Sequence, residues 1–283
     1  MSRRLLAGVL GMLLGWALNA AAFELNINKL VDVIGKTKDL KPVDDRGEAE
    51  IGSGVAANLL GAVPLVQDEK LQAYVNRLGL WLALQTERAD LPWRFGVLDS
   101  DSINAFAAPG GYVFVTRGLL LRMRSEAELA GVLAHEIGHV LKRHHLQAIQ
   151  KNAQTGILAD LVSLAADNAQ RGDLAQKAIS AGTELYVRGL DKNDEFEADR
   201  IGVVLAARAG YDPYGLPAVL QTLEAMNAQD SSLALMFKTH PAPAQRLQLL
   251  DAAMTGKLER YAAQPQMAER FEKTVGDYIR RVR

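Results

Sequence analysis

Ser125-Glu126-Ala127-Glu128-Leu129-Ala130-Gly131-Val132-Leu133-Ala134-His135-Glu136-Ile137-Gly138-His139 is the stretch from which both the fold class and the site are read. Ser125 with Glu128 three residues on is a capping box, so a helix begins here, and the apolar spacing that follows carries it to about His144. A helix turns about 100° per residue, so His135 and His139 stand about 40° apart on one face, one turn above the other. Two imidazoles so placed can share one tetrahedral ion, while the Glu136 carboxylate reaches a water on that ion rather than the ion itself. The plain alternative, two histidines on a polar helix face, fits less well with a match that falls inside a capped amphipathic helix.

A hydrolytic zinc site needs a third protein ligand and an open fourth position. His145 stands where a third histidine could follow, but Lys142 occupies the place where a glycine would let the chain leave the helix. The helix is therefore expected to continue. That turns His145 about 80° and His144 about 180° away from His135, and makes both solvent-facing residues near a helix end. The other source is the acidic segment Asp194-Glu195-Phe196-Glu197-Ala198-Asp199. Glu195 and Asp199 share a helix face, with Glu197 rotated about 200° from Glu195. One of the pair can bind the metal while the other accepts the N–H of a ligating histidine. Spacing alone does not say which, and a solvated acidic helix start is the plain reading.

Working outward, apolar residues recur at helical spacing from Glu48 to about Leu60 and from Glu69 to about Leu84, predicting two amphipathic helices. Trp93 to Leu98 and Tyr112 to Val115, the latter after Pro109-Gly110-Gly111, predict a small antiparallel sheet. Residues 150–190 suggest packed helix, with a lid as the other reading, and a further helix is expected from about Asp194 to Ala209. In Thr239-His240-Pro241 the proline holds His240 extended on a loop at a helix entrance, from which it can reach into a cleft. There it would either donate to a developing oxyanion or fill the fourth position on the metal and keep the resting protein latent. A surface histidine in a turn is the bland alternative. After Leu250 the pattern becomes a polar helical tail, giving one domain over 23–250 and a short extension over 251–283.

With 49% apolar and 23% charged residues and a formal charge of −1, the chain of 283 residues has an ordinary globular profile and no electrostatic footprint for nucleic acid. Residues 1–22 differ in kind: Arg3 and Arg4, an apolar run from Leu5 to Leu18, then Ala20-Ala21-Ala22. That is the pattern of a cleavable signal peptide, and the run is shorter than the roughly 20 residues a bilayer core requires. Export to the periplasm of a Gram-negative cell is expected, with room for a loose contact at a membrane face. The chain has no cysteine, so neither disulfides nor a cysteine-borne lipid enter the account.

Asn104-Ala105-Phe106 with Pro109-Gly110-Gly111, the His-Glu-x-x-His helix, Glu195-x-Glu197-Ala198-Asp199, and Thr239-His240-Pro241 with Arg246 occur in that order over about residues 45–250. In this the chain resembles the M48 family of metallopeptidases. Asp191-Lys192 departs from the Ser-Arg pair common in relatives before the acidic motif. The resemblance implies an α+β, mostly helical gluzincin-type domain, one zinc ion per chain on His135, His139 and Glu195, Asp199 as partner of a zinc histidine, and Glu136 as general base. It also implies an endopeptidase acting on unfolded or misassembled envelope proteins. The strand from Gly111 to Val115 is expected to be the sheet edge that holds extended substrate, with Asn104, Gly111, Tyr112 and Val113 as substrate-binding residues, although plain sheet structure is an equal reading. A hydrolase of small amides and a binding module with a vestigial metal site are the rival functions, and an intact Glu136 speaks against the second.

Overall fold

The computed structural model describes residues 43–154, 190–226 and 230–282. The expected signal peptide and almost all of the 150–190 segment lie outside these residues. Helix α1 (Asp45–Ala62) is capped by Asp44 and helix α2 (Glu69–Ala83) by Asp68, each accepting from a backbone N–H of its own first turn. Three strands follow: β1 (Arg94–Leu98), β2 (Ala105–Ala108) and β3 (Tyr112–Thr116). A one-turn helix α3 (Arg117–Leu120) then leads to the central helix α4 (Glu126–Leu141), buried from Glu126 to Val140. Helices α5 (His144–Gln154), α6 (Lys192–Arg208), α7 (Gly215–Glu224), α8 (Ala234–Thr239) and α9 (Pro243–Met254) complete the body.

The architecture is α+β and mostly helical, as expected, but the sheet is mixed rather than antiparallel. Its order is β1-β3-β2, with β3 parallel to β1 and antiparallel to β2. This corrects the placing of Gly111, Tyr112 and Val113 on an edge. Tyr112 pairs with Arg94 on one side and Ala108 on the other, so β3 is the central strand and its main chain is engaged on both flanks. The short strand β2, visible in the sequence only as part of Asn104-Ala105-Phe106, is the edge on the side of the histidine helix.

Helices α2, α4, α6, α7 and α9 and the sheet share one apolar core, including Leu71, Val97, Leu129, Leu133, Val203 and Leu220. Phe271, Val275 and Tyr278 of the C-terminal segment are buried in that same core, so one face of the tail packs while the other is polar. Among the described residues no helix is long and apolar enough to cross a membrane.

Candidate metal centre

Helix α4 brings His135 and His139 within reach of Glu195 because α6 crosses it closely. A methyl group on Gly202 would lie 3.0 Å from the His135 backbone nitrogen, and one on Gly138 would lie 3.2 Å from the Ala198 Cα. Side chains at these positions would push the helices apart and draw Glu195 and Asp199 away from the histidines. Gly138 and Ala198 are letters of the two motifs, and Gly202 lies outside both. Helical periodicity locates a face but not how closely a second helix approaches it.

His135, His139, Glu195 and His240 each offer one ligating atom, all within 4.8 Å of one another. The two histidines direct their Nε2 atoms at each other, 3.1 Å apart. Behind them, His135 Nδ1 lies 2.9 Å from Asp199 Oδ1, and Arg246 holds that carboxylate in a fork through Nε and Nη2 at 2.9 and 2.5 Å. Of the two carboxylates, Glu195 faces the cluster and Asp199 stands behind His135. Burial alone would raise the Asp199 pKa, but Arg246 and His135 outweigh it and hold the carboxyl well below the usual range. For Glu195, burial is likewise outweighed by the His240 imidazole, leaving the carboxyl at about 2.

The residues fit a cation. Glu195 Oε1 is buried and has no hydrogen-bond partner, although it lies 3.5 Å from His139 Nε2, while Oε2 is bonded to His240 Nδ1 at 2.6 Å. An orphaned carboxylate oxygen beside the His139 Nε2, with His135 Nε2 3.7 Å from the other oxygen, is costly unless something positive is shared among them. Two imidazoles and a carboxylate are the donor set of a catalytic zinc site. Glu136 is buried beside this group and its carboxyl is pushed up by that burial, the direction a general base needs. His240 follows α8 in an extended conformation and joins the cluster, as its loop position predicted.

Two expectations are corrected. Helix α4 does not continue past Lys142: Arg143 adopts a left-handed conformation (φ 56°) and α5 starts afresh at His144. His144 is therefore buried against His139 rather than facing solvent, and His145 is half-buried and lines the cleft with Glu136, Glu195 and His240. The cause is upstream, where buried Glu48 accepts from Arg143 Nε at 3.0 Å and Arg88 Nη2 at 2.9 Å. A non-glycine residue in the left-handed region leaves no mark in local sequence when a distant carboxylate stabilises it. Asp191 is the N-cap of α6, accepting from Asn193 N at 2.9 Å.

The Thr116 N–H donates to Asn104 O, which fixes the alternation along β2. The main-chain groups of Ala105 and Ala107 then point away from β3, and both residues line the cleft with Glu136 and His240. Asn104 is buried, its side-chain oxygen and nitrogen both lack partners, and it lines a cavity with His135, Glu136 and Arg246. The sequence-derived site residues are thus brought together, with Tyr112 and Val113 set one strand back.

The model of peptidase family M48 matches residues 69–254. The chain is 34% identical over 206 residues to the beta-barrel assembly-enhancing protease of Escherichia coli (strain K12), an alignment covering 71% of this chain and 42% of that protein. It is 34% identical over 164 residues to the mitochondrial metalloendopeptidase OMA1 of Arabidopsis thaliana, covering 58% and 32%. Metalloprotease YcaL of E. coli (strain K12) is 28% identical over 227 residues, covering 77% and 82%. The chain thus spans about two fifths of the length of the beta-barrel assembly-enhancing proteases it matches.

Proposed function

Since the chain belongs to peptidase family M48 and carries that family's metallopeptidase domain, we propose that it is a zinc-dependent endopeptidase cleaving unfolded or misassembled cell-envelope proteins. The observation that carries this reading is the cleft in which a buried Glu136, Glu195 and His240 meet the outward main chain of β2, with His135 and His139 completing the ligand cluster beside it. Zinc on that cluster would supply Lewis acidity, polarising a carbonyl and lowering the pKa of a water towards about 7. Glu136 takes the proton and passes it to the leaving amine. Asp199 and Arg246 keep His135 in the tautomer whose Nε2 lone pair faces the cluster.

The strand that holds substrate is β2 in place of β3, with Ala105 and Ala107 pairing to an extended segment and the Asn104 amide finding its missing partners on that segment. Only a locally unfolded polypeptide can add such a strand, which is the argument for quality control. His240, bonded through Nδ1 to Glu195 Oε2 at 2.6 Å, would be a further ligand at rest and would keep the site latent until substrate displaced it. The relatives named for beta-barrel assembly and the amino-terminal sequence pattern support an envelope setting, in the periplasm, with a loose membrane contact compatible with it.

The test is mass spectrometry of one protein offered in folded and unfolded form, with and without chelator. The expected result is fragments from the unfolded form only, abolished by chelator and restored by zinc. Equal cleavage of both forms, or cleavage indifferent to chelator, would contradict the reading.

A further inference from the structure

The two histidines of the cluster are braced in different ways. Behind His135 stands a carboxylate, Asp199; behind His139 stands another imidazole. His139 Nδ1 lies 3.0 Å from His144 Nδ1, and His144 Nε2 lies 3.2 Å from Glu197 Oε2. Asp194 Oδ1 is 3.7 Å from the same Nε2, and Lys142 Nζ binds the other Glu197 oxygen at 3.0 Å. We propose that His144, with Glu197 behind it, is a positioning relay that fixes the ring of His139 for metal binding. The proposal rests on the zinc site of the preceding section and adds two residues to it.

One proton arrangement satisfies every atom of the relay. If His139 turns its Nε2 lone pair to the cluster, Nδ1 carries the hydrogen and donates to His144 Nδ1. The hydrogen of His144 is then on Nε2 and donates to Glu197. No proton is left over and no lone pair is opposed. The rings meet edge to face, with centroids 5.2 Å apart and planes 71° apart, so His144 does not stack on His139 but points an atom at it.

The backbone is arranged for this contact. On a continued helix His144 would stand about 140° around from His139. The left-handed Arg143 turns the chain back so that His144 returns to the histidine face, and Glu48 and Asp45 of α1 hold Arg143 in that conformation. Glu48 also accepts from Gly110 N at 3.1 Å, so a single buried carboxylate steadies both the β2–β3 turn and the residue that presents His144.

Zinc affinity, measured by chelator competition on the full chain, tests the relay without recourse to turnover. His144→Ala should bind zinc about 10–100-fold more weakly than wild type. His144→Asn places an amide oxygen where Nδ1 was and should recover affinity to within about threefold. Glu197→Gln, at a half-exposed position that tolerates replacement, should lose about three- to tenfold and serves if His144→Ala fails to fold. A purely structural His144 would lower the thermal midpoint of the metal-free protein, leave zinc affinity within about twofold of wild type, and gain nothing specific from Asn. That pattern, or an unaltered Glu197→Gln, overturns the relay while leaving the zinc site standing. A wild type that takes up no zinc overturns both.

Discussion

Helix α4 has a buried carboxylate site near each end, and only one of them is satisfied. At the amino end Glu126 accepts from Tyr74 Oη at 2.8 Å, Tyr211 Oη at 2.6 Å and Arg270 Nε at 2.7 Å, with a second bond from Arg270 Nη2. Both its oxygens are engaged by protein. At the carboxyl end Glu195, packed against the same helix, has an oxygen with no partner, and nearby Asn104 lacks partners for its whole amide. Buried polar groups are ordinarily paired, because leaving one unpaired costs about 1–3 kcal/mol or more. The first site ties the C-terminal segment to the core. The second leaves bonding capacity unmet, at the place where an ion and a substrate are proposed to bind.

Removing the anion from the unsatisfied end should have the larger effect on function. Glu195→Gln is expected to leave the fold intact and the purified protein without stoichiometric zinc, with proteolysis abolished, as elemental analysis and a peptide assay would show. Full zinc occupancy in that variant would place the ion elsewhere. Removing the anion from the satisfied end should do the converse. Glu126→Ala orphans two tyrosine hydroxyls and Arg270, but Arg270 stays half in solvent, so the loss is set at about 2–3 kcal/mol, below the roughly 3–5 for breaking a fully buried pair. Denaturant unfolding would read it, and zinc content and turnover per folded molecule should not change. A Glu126→Ala protein that is stable yet inactive would break the contrast between the ends.

Smaller effects are expected at His240, where the proposed latency contact is withdrawn. His240→Ala should keep zinc and raise basal cleavage or self-cleavage several-fold. A fall of about a hundredfold would instead make His240 an oxyanion donor, and no change would leave it a residue of the loop alone. Acid should act at the same end. Asp199 has a folded pKa below its unfolded value near 3.9, so its contribution to stability is complete above that value and is lost as pH falls towards the folded one. Metal should leave earlier, as protons compete for its ligands, although burial holds the His139 imidazole well below the usual histidine range and moves that release to lower pH. Titrating zinc release and unfolding together should separate the two steps, and unfolding that precedes zinc release would contradict this order.

What the sequence disclosed about this site follows helical geometry. His135, Glu136 and His139 were legible because a 3.6-residue period fixes their face, and Glu195 with Asp199 because i, i+4 does the same. Which carboxylate was which needed the family resemblance, since the answer lies in Arg246, 47 residues beyond Asp199. The central place of β3 was missed because the three-residue turn after Ala108 announces a hairpin without saying which partner lies on the far side, and β1 pairs there in parallel. His144 was missed for a different reason. Its position depends on a left-handed Arg143 held by Glu48, a long-range ion pair with no local signature.

Whether Glu136 is the base is read from Glu136→Gln, with zinc content and cleavage of an unfolded protein measured on the same sample. Glutamine keeps the size of the side chain and removes the base. One zinc per chain is expected, with cleavage reduced by about 10²–10⁴-fold. Stoichiometric zinc with cleavage near the wild-type rate would contradict this expectation, because the proton would then be taken by some group other than Glu136.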